Sequence, residues 1–321
     1  MEQKKIKLTN FFQDGIQKFG NTKKSEERYK TKDIFFFFTF YIFIQIVWNI
    51  IRTIIYPDWI KTIDDFFLNQ ITDDKVKLLI FYYFDIVFIN VFCPMIAIIW
   101  LLKKNSKHFM RNKFWILLYF FPGRFIIAQI LSYANMNNDS FQLVTSVIIP
   151  LIVLAIYFIK NYDFVKQVKL FFNSNSLIFF ITVSIIGVIS FILLLSILGG
   201  ITLGIGGGNP VNESNIQNFL KNPYSITVLF FTVVIIAPFI EEFVFRESLA
   251  EVGCNKWWAW PISTMFFAFA HISRSGDWIN ILVYVPLGLV NGFFYYKLRN
   301  ITFPILLHFG NNLIAFIGYF I

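Results

Sequence analysis

Long apolar runs alternate with short polar segments along the whole chain, and this alternation predicts membrane-spanning helices. An apolar helix of about 20 residues is long enough to cross the hydrocarbon core of a bilayer. The apolar runs lie near residues 34–56, 78–102, 114–134, 141–159, 177–203, 224–250, 257–273, 279–297 and 303–321. The sequence therefore predicts an all-α polytopic membrane protein with about nine transmembrane helices and the lipid bilayer as its surroundings.

The overall composition supports a membrane protein and excludes several other classes. Hydrophobic residues make up 57% of the chain, aromatic residues make up 20%, and the mean hydropathy is +0.63, which lies outside the range of soluble proteins. The net charge of +9 is not arranged as a basic stripe with stacking aromatics, so nucleic acid is not expected as a partner. Cys93 and Cys254 lie in or beside apolar runs, which gives neither a disulfide framework nor a cysteine metal motif.

The chain divides into three predicted regions. Residues 1–33 are polar and lysine-rich, and no cleavage signature follows the first apolar run, so they are predicted to form a cytosolic tail. Residues 34–203 form a transmembrane region of unknown role, and residues 220–321 form a C-terminal core of four helices. The bias toward Phe, Ile, Lys and Asn favours a bacterial plasma membrane, and no signal indicates an oligomeric state.

Basic residues are distributed unevenly between the two sets of loops. With the N-terminus inside, 21 Lys and Arg residues fall on the cytosolic side and 5 on the opposite side. Cytosolic loops of membrane proteins carry an excess of Lys and Arg. The sequence therefore predicts a cytosolic N-terminus and an extracytoplasmic C-terminus.

Ionisable residues inside the apolar runs carry most of the functional information. Burying one costs about 2.5–3.5 kcal/mol at a helix centre, so such residues tend to be paired or functional. Arg52 and Asp85 are predicted to meet as a structural pair, whereas Arg124 has no evident partner.

Three polar residues in separate C-terminal helices are predicted to lie at one depth. At 1.5 Å per residue, Glu241 lies about 13 Å, His271 about 15 Å and His308 about 12 Å from the cytosolic ends of their helices. A single buried histidine is usually a satisfied core residue. Two histidines and a glutamate at one level favour a shared site in the cytosolic half of the membrane.

Helical spacing predicts which neighbouring residues share a face. Glu242 and Arg246 are four residues apart and can pair within one helix, which leaves Glu241 as the freer carboxylate. Phe267 and His271 share a face by the same spacing.

His308 and Asn312 share a face on the last helix in the same way. Gly310, beside them, is predicted to permit close helix approach. Together with the glutamate, these side chains supply a base, imidazoles and an amide donor, which are the groups that hydrolysis requires.

Three motifs occur in order on successive apolar helices, and together they resemble the CAAX protease and bacteriocin-processing (CPBP/Abi) family of intramembrane proteases. The motifs are EExxxR (Glu241, Glu242, Arg246), FxxxH (Phe267, His271) and HxxxN (His308, Asn312). The resemblance, which extends to prenyl-protein (CAAX) endopeptidases, covers about residues 220–321. The family usually carries Gly after the Phe-Arg of the first motif, where this chain has Glu247, a charge expected near the cytosolic mouth of the site.

The resemblance implies an intramembrane endopeptidase that cuts a peptide or membrane-protein substrate near the cytosolic membrane face. Glu241 and His271 would activate a water, His308 and Asn312 would stabilise the oxyanion, and Glu242, Arg246 and Phe267 would support them. No cofactor is favoured. The alternative is zinc held by His271, His308 and Glu241, because two His and one Glu are a hydrolytic zinc ligand set.

Two other functions stay open at the level of sequence. One is a non-proteolytic bacteriocin-immunity or regulatory membrane scaffold that retains the fold. The other is a transporter or proton relay, since buried Glu, Arg and His also line such pathways. The absence of an internal sequence repeat disfavours the transporter.

Overall fold

The protein is described here from a computed structural model. The described residues are 31–55, 73–111, 115–134, 136–208, 223–250, 257–272 and 277–321, together with residues 14, 15, 210 and 220. Every regular element among them is a helix. The predicted cytosolic tail, residues 1–33, falls almost wholly outside this part of the chain.

Ten helices follow one another in the described residues. They are α1 (31–55), α2 (73–111, with a break at Asn105), α3 (Ile116–Ser132), α4 (Asn138–Lys160), α5 (Tyr162–Phe171), α6 (Ser174–Gly204), α7 (223–250), α8 (Ala259–Ile272), α9 (Trp278–Leu298) and α10 (Thr302–Gly318). Five are long and apolar enough to cross a membrane, and four more are shorter and apolar. These nine coincide with the nine predicted apolar runs, so the all-α polytopic membrane fold is confirmed.

Helix α5 has no counterpart in the sequence prediction. Its ten residues, YDFVKQVKLF, mix apolar and polar positions between the predicted apolar runs 141–159 and 177–203. Its apolar face is too short to register as a membrane span. The helix nevertheless has a structural role, because Gln167 on it contacts the C-terminal core.

The helices differ in how much of their surface packs against protein. In the most apolar window of α7, 56% of the residues are buried, against 22% in α6. Exposed isoleucines repeat along α6, including Ile178, Ile185 and Ile192. Apolar side chains on such a helix face lipid, whereas α7 lies in the middle of the bundle.

The predicted pair between Arg52 and Asp85 is confirmed in the N-terminal region. Arg52 Nη1 lies 3.1 Å from Asp85 Oδ2, and both side chains are buried. Trp48 Nε1 donates to Asp85 Oδ1 at 2.6 Å, and Asn49 Oδ1 accepts a hydrogen bond from Arg52 Nη2. Both carboxylate oxygens of Asp85 therefore have a donor, as a buried charge requires.

Arg124 makes a different kind of contact. Its guanidinium lies over the ring of Phe120, 4.5 Å from the centroid. Such cation–π contacts provide a partner for a cation where no carboxylate is near.

Close packing in the C-terminal core depends on Gly288 and Gly292 of α9. A Cβ atom at Gly288 would lie 2.9 Å from Thr264 Cγ2, and one at Gly292 would lie 3.3 Å from Thr264 Oγ1. Small residues four apart let membrane helices approach closely, so this pair brings α9 against α8. The prediction that Gly310 serves this purpose is wrong, because a Cβ atom there would meet no atom of the described residues within 4 Å.

Candidate active site

Helix α7 carries the first motif in an irregular backbone. A π-helical segment, Phe230–Ile236, precedes a short α-helical stretch, Ala237–Glu242, and a second π-helical segment follows it. The N–H of Ala237 donates to the carbonyl of Thr232, five residues back. Pro238 follows and has no N–H, so the carbonyl of Val233 lacks the next donor in this pattern. Such π-helical segments are frequent at functional sites.

Asn312 of α10 supplies that donor. Its Nδ2 donates to the carbonyl of Val233 at 2.9 Å, and its Oδ1 accepts from Asn311 Nδ2 at 3.0 Å. Asn312 thus ties α10 to α7 one turn beyond His308. Because an amide nitrogen carries two hydrogens, one remains for a second acceptor.

Glu242 is the centre of a fully buried polar cluster. Arg246 Nε lies 3.1 Å from Glu242 Oε2, so the ion pair predicted at four-residue spacing is confirmed. Oε1 of Glu242 accepts from Asn291 Nδ2 at 3.0 Å and lies 2.9 Å from His308 Nδ1. The guanidinium of Arg246 also donates to the carbonyl of Gly288 at 3.2 Å. One carboxylate therefore joins helices α7, α9 and α10.

Asn291 is a member of this cluster that the sequence analysis missed. Its side chain is completely buried and also donates to the carbonyl of Pro304 at 3.3 Å. An asparagine in an apolar span is costly unless it is hydrogen-bonded. Its position in the middle of α9 was the signal that could have identified it.

Hydrogen bonds fix the orientation of both imidazoles. His308 Nδ1 lies 2.9 Å from the Glu242 carboxylate, and His271 Nδ1 lies 2.8 Å from the carbonyl of Phe267. Both partners only accept hydrogen bonds, so each Nδ1 carries the proton. In the neutral imidazoles, each Nε2 then presents a lone pair. The ring of Phe267 packs against both histidines, at centroid distances of 4.6 and 5.7 Å.

The two lone pairs face the same oxygen. Glu241 Oε2 lies 3.7 Å from His271 Nε2 and 3.9 Å from His308 Nε2. This oxygen is buried and accepts no hydrogen bond within the described residues. Three acceptors thus converge at distances too long for direct hydrogen bonds. Such a set is stable when a shared hydrogen-bond donor or a cation lies among them.

The structure therefore brings Glu241, His271 and His308 together, as their predicted depths suggested. Arg246 and Phe267 lie directly behind them, with the guanidinium 4.8 Å from the centroid of the Phe267 ring. Glu241 and His271 are 17% and 18% exposed, whereas His308 is 3% exposed. The site is thus closed on the His308 side and accessible on the other.

The donor set suits zinc in chemical type. Two ligands around a tetrahedral zinc are about 3.3 Å apart. The measured separations of 3.7 and 3.9 Å are wider. Within the described residues, no group of three His, Cys, Asp or Glu side chains is spaced to hold a metal ion.

Glu247 does not lie at the mouth of the site, contrary to the prediction. Its side chain is completely buried beneath α4 and α5. Tyr157 Oη and Asn161 Nδ2 donate to its Oε2 at 2.5 and 3.0 Å, and Gln167 Nε2 donates to its Oε1 at 3.1 Å. Gln167 in turn accepts from the backbone N–H of Ile301 at 2.7 Å. Glu247 therefore connects α7 to α4, α5 and the start of α10.

Comparison with known proteins gives related sequences but no solved structure. A UPF0177 protein, YaiF, of Lactococcus lactis subsp. lactis (strain IL1403) is 25% identical over 60% of this chain and 92% of its own length. An uncharacterized protein of Mycoplasma capricolum subsp. capricolum is 26% identical over 59% of this chain and 60% of its own length. UPF0177 protein YbdI of the same Lactococcus strain is 26% identical over 34% of this chain and 59% of its own length. No solved structure matches the chain.

A family match covers the region that holds the site. Residues 223–314 match the family described as type II CAAX prenyl endopeptidase Rce1-like. This segment contains all seven residues of the three motifs. The resemblance drawn from those motifs is therefore confirmed, and it is a similarity of residues 223–314 to the Rce1-like family.

Proposed function

We propose that the protein is an intramembrane endopeptidase that hydrolyses a peptide bond of its substrate, with Glu241 as the general base. The observation that carries this proposal is the convergence of the Glu241 carboxylate and two imidazole lone pairs inside an apolar helical bundle. Two of these acceptors, Glu241 Oε2 and His271 Nε2, are suited to hold a water molecule through its two hydrogens. The Rce1-like match of residues 223–314 independently supports a hydrolase.

In the proposed reaction, Glu241 accepts a proton from the bound water while the water oxygen attacks the peptide carbonyl carbon. His271, oriented by its bond to the Phe267 carbonyl, holds the water in position. As the tetrahedral intermediate collapses, the C–N bond breaks and the proton passes from Glu241 to the leaving amine. General acid–base catalysis of this kind contributes about 10²- to 10⁴-fold to a rate.

His308 and Asn312 are proposed to stabilise the oxyanion. His308 would do so as an imidazolium, with a proton on the Nε2 that presents a lone pair in the neutral ring, and the Glu242 carboxylate at 2.9 Å from Nδ1 would balance the positive charge. Asn312 would contribute the amide hydrogen that Val233 does not use. Hydrogen-bond donors that are held in place in a site with little water stabilise a developing negative charge effectively.

The substrate is proposed to be a peptide precursor or a membrane-anchored protein. A site formed within a helical bundle receives its substrate at the membrane, and bacterial peptide pheromones, bacteriocin leaders and membrane-anchored regulators fit that description. Prenylated proteins would take their place in a eukaryotic cell.

We favour a metal-free glutamate mechanism, and a zinc-dependent mechanism is the alternative. Glu241, His271 and His308 would hold the ion, and a zinc ion at this position would make the water more acidic. Stoichiometric zinc in the purified protein, lost together with activity on chelation, would replace the metal-free scheme. Metal analysis of Glu241→Gln protein gives a readout that is independent of activity.

The decisive test is peptide cleavage by purified protein in lipid nanodiscs. Wild-type protein is expected to cleave peptides from a membrane-anchored library, and Glu241→Gln and His271→Gln proteins are expected to lose nearly all of this activity. Asp85→Asn is the matched control, because it alters a buried carboxylate outside the site. Full cleavage by Glu241→Gln protein would refute the assignment and favour a non-proteolytic scaffold.

A further inference from the structure

Two basic side chains compete for the carboxylate of Glu242. A guanidinium binds a carboxylate best through two parallel hydrogen bonds, so Arg246, on the same helix, is suited to take both oxygens. In the structure Arg246 Nε is paired with Oε2 at 3.1 Å, whereas Oε1 is turned to His308 and lies 2.9 Å from its Nδ1. A further contact is needed to hold Oε1 in that direction.

Asn291 of α9 supplies this contact. Its Nδ2 donates to Glu242 Oε1 at 3.0 Å and to the carbonyl of Pro304 at 3.3 Å. An amide nitrogen carries two hydrogens, so both are used. Because a carboxylate and a carbonyl only accept hydrogen bonds, the nitrogen of the amide must face them and the oxygen must point away.

The bond to Pro304 reaches the helical turn that carries His308. In an α-helix the carbonyl of one residue accepts the backbone N–H of the residue four positions later, so the Pro304 carbonyl belongs to the turn of His308. One side chain therefore holds both the carboxylate and the backbone segment of the histidine that the carboxylate contacts. The distance between Glu242 Oε1 and His308 Nδ1 is thus controlled from both sides by Asn291.

Helix α9 presents Asn291 from a closely packed position. Gly288, three residues earlier, accepts a hydrogen bond from Arg246 Nη2 at 3.2 Å. A Cβ atom at Gly288 or Gly292 would lie within 3.3 Å of Thr264, so α9 has little freedom to shift at this level. Asn291 is completely buried in this packing. It therefore acts on the site through its neighbours and not through the substrate.

We infer that Asn291 is a positioning residue for His308 and acts through Glu242. This inference rests on the proposed peptidase function and deepens it. With the Asn291 donor in place, Glu242 Oε1 accepts from His308 Nδ1, and His308 Nε2 keeps its lone pair toward Glu241 Oε2, 3.9 Å away. That oxygen of Glu241 then has no donor within the described residues and is available to a water.

Loss of the Asn291 donor frees Glu242 Oε1 to turn to the guanidinium of Arg246. His308 Nδ1 then loses its carboxylate acceptor, and the tautomer with the proton on Nε2 donates to Glu241 instead. The general base becomes occupied, and an imidazolium at His308 loses its counter-ion. Both changes slow the chemical step and leave substrate binding nearly unchanged.

The tautomer of His308 can be measured without catalysis. Nitrogen-15 NMR of histidine-labelled protein in lipid bilayers separates protonated from unprotonated ring nitrogens, and His271→Gln and His308→Gln proteins identify the signals. At a pH where the ring is neutral, we expect wild-type His308 to be protonated on Nδ1 and Asn291→Leu protein to show the Nε2-protonated form as well. Gln45→Leu is the matched control, because Gln45 is a buried amide that donates to the carbonyl of Ile89 between α1 and α2. Its loss should leave the histidine signals unchanged.

Cleavage kinetics test whether this positioning matters for the reaction. We expect the kcat of Asn291→Leu protein to fall by about 10- to 100-fold, because a supporting contact of the histidine is lost. KM should stay within about threefold of the wild-type value, since the interaction removed lies outside the substrate contacts. A residue that acts through Glu242 has no further effect once Glu242 is an amide. The Asn291→Leu, Glu242→Gln double variant should therefore have the kcat of Glu242→Gln alone, whereas independent effects would multiply.

Three outcomes would overturn the inference. They are an unchanged His308 signal in folded Asn291→Leu protein, a kcat of this variant within about threefold of wild type, and multiplied losses in the double variant. Thermal unfolding curves verify that each variant is folded. Asn291→Ala, which removes the amide without adding volume, is measured in the same way if Asn291→Leu does not fold. The NMR result requires no substrate, so an inactive wild-type protein would refute the peptidase function without affecting it.

Discussion

Asp85 in α2 and Glu241 in α7 are both carboxylates in apolar helices, but their surroundings differ. Asp85 receives a donor on each oxygen, from Trp48 and from Arg52. Glu241 Oε2 is buried opposite two imidazole lone pairs and has no donor among the described residues. A carboxylate whose oxygens are all paired holds helices together, whereas one that faces other acceptors is available to bind and deprotonate a water.

The sharpest test of this contrast exchanges each carboxylate for its amide. Glu241→Gln should lower peptide cleavage by about 10³-fold, because the general base is lost. Its thermal stability should be unchanged or higher, since the new amide N–H can donate to an imidazole. Cleavage rates and unfolding temperatures in the same nanodiscs measure both effects.

Asp85→Asn should show the opposite profile. Removing one charge of a buried ion pair costs about 3–5 kcal/mol, because Arg52 is left without its counter-ion. Activity per folded molecule should persist. If Asp85→Asn is inactive although folded, or if Glu241→Gln is strongly destabilised, the distinction between the two carboxylates is wrong.

Glu242→Gln should lose both properties at once. The amide leaves Arg246 without its counter-ion, and it can no longer stabilise a protonated His308. We expect activity to fall by about 10- to 100-fold, because the carboxylate that orients His308 is lost. The unfolding temperature should fall as well, which separates this variant from Glu241→Gln. Unchanged activity in folded Glu242→Gln protein would show that His308 needs no carboxylate.

Glu247→Gln tests whether the buried charge beneath α4 and α5 is structural. An amide replaces one carboxylate oxygen by a donor, which then faces either Gln167 or Tyr157 and Asn161, all of which already donate. We therefore expect a loss of about 1–3 kcal/mol from unsatisfied groups. Activity per folded molecule should stay near the wild-type value, because Glu247 lies away from the reacting groups. Chemical denaturation measures the loss of stability. A strong change in substrate affinity would instead support the prediction that Glu247 lies at the mouth of the site.

The smallest expected effects come from two glycines. Gly288→Ala puts a Cβ atom 2.9 Å from Thr264 and should destabilise the bundle by about 1–3 kcal/mol. Gly310→Ala has space around it and should be neutral or stabilising by about 0.5–1 kcal/mol. Unfolding temperatures of the two variants compare the packed and the open glycine directly, and equal values would contradict the packing described for α8 and α9.

The sequence by itself determined the nine apolar helices, the ion pair at Glu242 and Arg246, and the common depth of Glu241, His271 and His308. These features follow from properties within one helix. Hydropathy marks a span, a four-residue spacing marks a face, and a fixed rise per residue marks a depth. Local rules suffice because each feature depends on residues within a few turns of one another.

Only the tertiary structure decided how the helices are rotated against one another. The bond from Asn312 to Val233, the role of Asn291 beside Glu242, the burial of Glu247 under α5, and the closeness of Gly288 rather than Gly310 all join residues distant in the chain. In a membrane every apolar face can contact either lipid or another helix at similar free energy. Hydropathy therefore cannot specify which face turns inward, and polar contacts and close packing between helices make that choice.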